Sequence, residues 1–329
     1  MKNPLAFILN VSNQLNTQQL ALISFILAIK GENITYLRNV GTSRYSYSHN
    51  AISSVQGYYF LQKDLTSLPL LLLWRCSDDC QYRCMWIVVD EFERKNWPAP
   101  QFHGKWPFVR ILGIQEPAST LFSIINLSIH YSMFRKYLGE FNWHTPLIGV
   151  WSVHALVSMN GWIWSTIFHT RDIDFTELMD YLSAFAMVFS SVYCLGMRLL
   201  VDMNMDAYGG FLTAICILFY LNHALYLSSG PFDYSYNLVA NISVGFITLL
   251  ICGVLFYRNK SVPHFKYLGG AVIILTASLY LEVNDFPPIF RFLDAHALWH
   301  ALTAPSIYLF WRYIHEDSRY LKKRIPIRW

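Results

Sequence analysis

Residues 164–181, WSTIFHTRDIDFTELMDY, place Ser165 and His169 four residues apart at the end of one apolar run and Asp180 near the start of the next. Further along, DAHALWH at 294–300 repeats the spacing with His296 and His300. Residues four apart on a helix lie on one face, so each pair projects in a single direction. Two histidines one turn apart can reach one ion, and a third from a facing helix completes the three-ligand set of a catalytic zinc, with one position open for water. Water on such a metal loses its proton near neutral pH. Asp180 has the chemistry to take that proton, and Ser165 can donate a hydrogen bond to a developing oxyanion. This set is sufficient to hydrolyse an ester or an amide. A plainer reading stands beside it, because HxxxH on an apolar helix also serves as a pair of packing histidines. Spacing alone leaves both open, although three neutral histidines near hydrocarbon need partners from somewhere.

These residues require a scaffold that brings three separate segments to one level. With 54% of residues hydrophobic and 14% charged, the chain is too apolar for a soluble protein of 329 residues. A helix needs about 20 apolar residues to cross roughly 30 Å of hydrocarbon. Such runs lie at 117–137, 146–168, 177–200, 208–229, 236–257, 266–283 and 295–314. The expectation is an all-α membrane protein, a seven-transmembrane-helix bundle with a small cysteine-containing luminal segment ahead of it. Residues 1–30, with the short apolar run Leu20 to Ile29, read as a signal peptide, 31–116 as the luminal region, 117–314 as the bundle and 315–329 as a cytosolic tail.

Charge gives the orientation. Arg135, Lys136, Arg198, Arg258, Lys260, Lys266, Arg312, Arg319, Lys322, Lys323, Arg324 and Arg328 fall on one side of these runs, and Arg171 and Arg291 on the other. The lysine- and arginine-rich side is cytosolic. Ser165, His169, Asp180, His296 and His300 then collect at the luminal membrane face. The net charge of +4 is mostly a property of the tail, whose RYLKKRIPIRW suits anionic lipid and does not suggest nucleic acid.

The remaining polar residues take simpler readings. Cys76, Cys80 and Cys84 in an oxidising compartment point to disulfides, with a zinc knuckle as the alternative for CxxxCxxxC. Cys194, Cys216 and Cys252 are small apolar residues within the runs. Asn33 of Asn-Ile-Thr is an accessible luminal glycosylation site, whereas Asn126 and Asn241 lie within runs and are expected to be silent. Asp174 and Glu177 in DFTE resemble a capping box that starts the third run, and Asp294 a cap for the seventh. His154 and His223 read as packed or hydrogen-bonded. Glu116, Asp233 and Asn237 either line a pocket or sit at the headgroup boundary.

Six further stretches carry a likeness: QFHGKWPFVR at 101–110, QEPAS at 115–119, FHTRD at 168–172, FDYSYNLVAN at 232–241, DFPPIF at 285–290 and DAHALWH at 294–300. Together, in order across about residues 74–320, they resemble the Per1-like family of post-GPI-attachment phospholipases, part of the wider CREST group of seven-helix membrane hydrolases that includes alkaline ceramidases and adiponectin-type receptors. The resemblance implies that His169, His296 and His300 hold Zn2+ while Asp180 and Ser165 assist the bound water. It implies hydrolysis of the unsaturated sn-2 acyl chain of GPI-anchored proteins to give lyso-GPI in the Golgi membrane, or alternatively in that of the endoplasmic reticulum. Two other readings use the same residues: a ceramidase-like amidase, and a non-enzymatic receptor or scaffold with structural zinc. The family also carries cysteines upstream of the positions matching Cys76, Cys80 and Cys84; residues 1–75 contain none.

Overall fold

The structure, a computed structural model, describes residues 72–102 and 104–324, all within one compact unit, Leu65–Trp329. The expected signal peptide, the Asn33 sequon, the first part of the luminal region and the last five residues lie outside the described residues. Eight α-helices fill the described chain: α1 Cys76–Arg94, α2 Pro117–Glu140, α3 Ile148–Thr170, α4 Asp174–Asp202, α5 Gly209–Ser228, α6 Tyr234–Arg258, α7 Phe265–Asn284 and α8 Ala295–Arg324. Among the described residues there are isolated bridges but no strands.

Local chemistry marks the helix starts. Pro117 opens α2, where a missing N–H costs nothing. The Asp233 carboxylate accepts from the Tyr236 N–H at 2.9 Å to cap α6, and Asp294 accepts from the Ala297 N–H at 2.9 Å to cap α8, as expected of it. At α4 the expected capping box is altered. The Thr176 hydroxyl, rather than Glu177, accepts the Ile173 N–H at 3.0 Å, and Glu177 instead accepts from the Tyr234 hydroxyl at 2.7 Å.

Four helices, α4 to α7, are long and apolar enough to cross a membrane by length and composition, as befits a multi-pass membrane protein. Seven such runs were expected. The other three long helices, α2, α3 and α8, carry buried serines, asparagine, histidines and tryptophans, including Ser123, Asn126, His130, His154, Ser165 and His300, which lower their hydropathy. These polar groups face one another: α2 packs on α3 and α8, α8 on α7, and α3 on α4, which also carries α5 and α6.

The main apolar core lies at one end of the bundle. Phe134, Tyr137 and Phe141 of α2 and its exit pack there with Trp151, Leu195, Leu255, Leu268, Trp311 and Ile314. Beside that core, Arg198 forms a two-pronged ion pair with Asp317, at 2.6 and 3.0 Å, and both side chains are fully buried. His264 Nε2 reaches the same carboxylate at 3.0 Å. Two expectations change here. Arg198, counted among the orienting surface charges, is a core residue, and α8 runs ten residues past 314, so that Asp317, Ser318 and Leu321 of the expected tail are buried. Removing one partner of a buried pair strands the other charge, at a cost of about 3–5 kcal/mol. Asp317→Ala is therefore expected to lower the unfolding free energy of the detergent-solubilised protein by that amount. The paired Arg198→Met, Asp317→Leu variant, measured the same way, should lose less.

The three clustered cysteines also depart from expectation. Cys76, Cys80 and Cys84 stand one turn apart along α1 as exposed free thiols. Helical neighbours four apart hold their Cβ atoms about 5–6 Å apart, whereas a disulfide needs about 3.8 Å. The helix that places them on one face therefore keeps them from pairing with one another.

Candidate metal centre

At the opposite end of the bundle from the main core, the end of α3 delivers His169 and the start of α8 delivers His296 and His300. One ligand atom from each lies within 4.8 Å of the others. His169 and His300 are buried, while His296, its side chain 33% exposed, forms the open side. The ring centroids stand 4.5 to 5.1 Å apart. Trp162 meets the His300 ring edge-on at 5.3 Å and fixes its plane.

The outer nitrogens set which atom of each ring carries hydrogen in its neutral form. His169 Nδ1 lies 2.6 Å from a Glu116 carboxylate oxygen and His296 Nδ1 lies 2.8 Å from a Glu282 oxygen. Burial pushes the Glu116 carboxyl up, but the His169 charge and hydrogen bond outweigh it and hold the group below the usual carboxylate range. Carboxylates accept, so both Nδ1 atoms carry hydrogen. His300 Nδ1 stands 3.1 Å from Ser123 Oγ, whose single proton is already given to the Ser119 carbonyl at 2.7 Å. Ser123 must accept, and His300 Nδ1 also carries hydrogen. In the neutral state that metal binding requires, each ring therefore presents a lone pair at Nε2. His296 and His300 Nε2 are 2.9 Å apart, and His169 Nε2 is buried with no hydrogen-bond partner. Three inward acceptors repel unless a metal ion, or a proton on one of the rings, lies between them. The donor set fits zinc, with each Nδ1–H fixed by an outer partner, an arrangement that orients metal-binding imidazoles.

The structure brings Ser165 and Asp180 to this centre in different ways. Ser165 is buried, and its hydroxyl lies 3.0 Å from Ser123 Oγ. Because the Ser123 proton is committed, Ser165 is the donor. Asp180, half-buried in the second turn of α4, is near enough to His169 and His296 to interact with them electrostatically. No described residue hydrogen-bonds its carboxylate, which leaves it available to a proton. His154 and His223 are packed and hydrogen-bonded through Nδ1, to Ser190 at 2.7 Å and Tyr236 at 3.3 Å, although His223 Nε2 is buried without a partner. A groove of about 490 Å³ between α2 and α3, lined by Leu127, Tyr131, Leu156, Asn160 and Ile163, contains none of the histidines.

Sequence reasoning missed the outer partners. Glu116 had two open readings, and its role depends on backbone pairing of the Glu116 N–H with the His169 carbonyl at 2.9 Å, a tertiary contact. Glu282 carried a usable signal as an ionisable residue within an apolar run. Losing such a partner lowers metal affinity roughly 10- to 100-fold. Competition with a chromogenic chelator should reveal that decrease in Glu116→Gln, with zinc still bound at saturating concentration.

Comparison with known proteins bears on what this centre serves. The Per1-like family matches residues 67–318. The chain belongs to the Per1-like family. Post-GPI attachment to proteins factor 3 of Drosophila melanogaster is 38% identical over 296 residues, covering 88% of this chain and 90% of that protein. Two mammalian relatives are named GPI-specific phospholipase A2-like PGAP3. That of Cricetulus griseus is 42% identical and that of Homo sapiens 39% identical, each over 251 residues, 76% of this chain and 78% of the relative. No solved structure matches. Within this Per1-like chain the family match contains every residue of the centre, from Glu116 to His300.

Proposed function

We infer that the protein is a zinc-dependent lipid hydrolase of GPI-anchor remodelling, which removes the sn-2 acyl chain of GPI-anchored proteins and leaves a lyso-GPI. The observation carrying this reading is the convergence of His169, His296 and His300, each ring backed by an outer partner, in a chain whose relatives are named for a phospholipase A2-like activity. Seven helices, α2 to α8, cross the membrane of the Golgi or the endoplasmic reticulum. The histidine end and residues 31–116 face the lumen, and the end of the chain faces the cytosol.

His169, His296 and His300 hold the zinc, which supplies a Lewis acid and makes water nucleophilic near neutral pH. The residues of the chain move the protons. Asp180 takes a proton from the attacking water, and Ser165 turns from Ser123 to donate to the oxygen on which negative charge develops. As the bond between the acyl carbon and the glycerol oxygen breaks, Asp180 returns the proton to that oxygen. The products are a free fatty acid and the lyso-lipid alcohol.

The decisive experiment offers the purified full chain a defined GPI-anchored peptide and, separately, ceramide, with released fatty acid measured by mass spectrometry. Release from the sn-2 position of the GPI substrate is expected. Ceramide cleavage with the GPI substrate untouched would replace the esterase by an amidase, and no release from either would leave a receptor or scaffold.

A further inference from the structure

The segment over the histidine end is held by many contacts. Trp74 is stacked between Arg110 at 3.4 Å and Arg171 at 3.8 Å, Asp285 accepts from Trp106 at 2.6 Å, and Arg291 pairs with Glu93 at 2.8 Å. Within it, Phe102 and Lys105 exchange backbone hydrogen bonds at 2.7 and 3.0 Å across a tight turn. The turn needs Gly104, whose φ of +80° is unfavourable for other residues. It sets Lys105 with its Nζ 4.6 Å from the centre of the Phe168 ring, one residue before His169, and paired with Asp172. From there its charge acts on both Glu116 and Asp180.

A lysine at this position has a purpose that the Asp172 pair alone does not explain. The centre is rich in carboxylates, Glu116, Asp180 and Glu282, and such a mouth repels an anionic lipid. In a glycerophospholipid the phosphate sits on the carbon next to the one bearing the sn-2 ester. An ester carbonyl at the histidines therefore brings a negative phosphodiester within reach of their surroundings. Lys105 stands on the turn closed by its backbone pair with Phe102, is 35% exposed at its side chain, and lies against the Phe168 ring, one residue from His169.

We propose that Lys105 is the phosphate-binding residue of this site, exchanging Asp172 for the phosphodiester of an inositol phospholipid. The assignment rests on the lipid-hydrolase reading and adds the chemical class of headgroup that the site accepts. Lys105 contributes a charge-assisted hydrogen bond to a phosphate oxygen, and Asp172, whose backbone N–H donates to Gln115 at 3.2 Å, keeps the lysine oriented when no lipid is present.

The test measures binding apart from turnover. The full chain in neutral nanodiscs is titrated with an ether-linked phosphatidylinositol, which has no ester to cleave, with the matching ether-linked diglyceride lacking phosphate, and with inorganic phosphate alone. Lys105→Gln should weaken binding of the phosphate lipid about 10-fold and leave the diglyceride unchanged. Lys105→Arg should restore most of the loss, and Asp172→Asn should bind the phosphate lipid at least as tightly as the native chain. With ester-linked phosphatidylinositol, Lys105→Gln should raise KM and leave kcat nearly unchanged. Equal weakening for both lipids, or parallel loss in Asp172→Asn, would make Lys105 a structural pin and overturn the assignment. Binding of inorganic phosphate without preference for the phosphate lipid would overturn it as well. Lys105-dependent lipid binding without hydrolysis of any ester would remove the hydrolase and keep the subsite, whereas hydrolysis with binding indifferent to Lys105 would do the reverse.

Discussion

Asp180→Asn is expected to yield a protein that folds, reaches its membrane and binds metal like the native chain, yet releases acyl chains roughly 100- to 10,000-fold more slowly, the usual contribution of a general acid–base group. Folding is spared because Asn fills the same volume and no described residue hydrogen-bonds the carboxylate, so its replacement strands no partner. Metal is spared because the ligand set and its outer partners, Glu116, Glu282 and Ser123, are untouched. The measurement is mass spectrometry of GPI lipid from cells lacking the native protein and rescued with either form. Native rescue should deliver remodelled anchors, and Asp180→Asn should leave the unsaturated sn-2 chain in place. Equal rescue would show that Asp180 is not the proton acceptor. Ser165→Ala should be milder. Its hydroxyl is engaged with Ser123 before any substrate arrives, so it contributes only after that bond is exchanged.

The candidate ligand side chains stood out in the sequence because helical spacing is a local property. The four-residue spacing of Ser165 and His169, and again of His296 and His300, fixes a shared face before any tertiary contact is known. Their meeting at one level followed from counting apolar runs and loop charges. What decides between metal ligands and packing histidines was not local. That choice depends on which atoms reach each Nδ1, and Glu116, Ser123 and Glu282 come from two different helices and from the turn before α2. No spacing rule connects Glu116 to His169 across 53 residues. Charge counting had a similar blind spot. It treated Arg198 as an orienting surface charge because a buried arginine looks like any other until Asp317 is placed against it. The cysteine pattern misled for the opposite reason: compartment chemistry favoured pairing, but the backbone of α1 adopted a geometry that prevents it.

The His296→Ala, His300→Ala variant is expected to lose its zinc entirely, falling from about one ion per chain to none by elemental analysis, and with it all measurable acyl release. The native arrangement explains why the loss should be complete. His169 alone cannot make a site, and α8 supplies the other two ligands from adjacent turns, so the double replacement removes that helix from the coordination sphere. Folding should survive, because the main core and the Arg198–Asp317 pair lie at the other end of the bundle. The change also removes two of the inward lone pairs, and their mutual repulsion in the absence of a cation goes with them. The metal reading therefore makes a second, less obvious demand. Stripping zinc from the native chain with a chelator should lower its thermal unfolding temperature, since occupancy of a native-state site stabilises by mass action, while the double variant should be indifferent to chelator. If the histidines only pack against one another, the opposite pattern appears. Chelator then leaves the native chain unchanged in stability and activity, and the alanines destabilise it by opening a cavity. Undiminished zinc in the double variant would end the assignment of His296 and His300 as ligands.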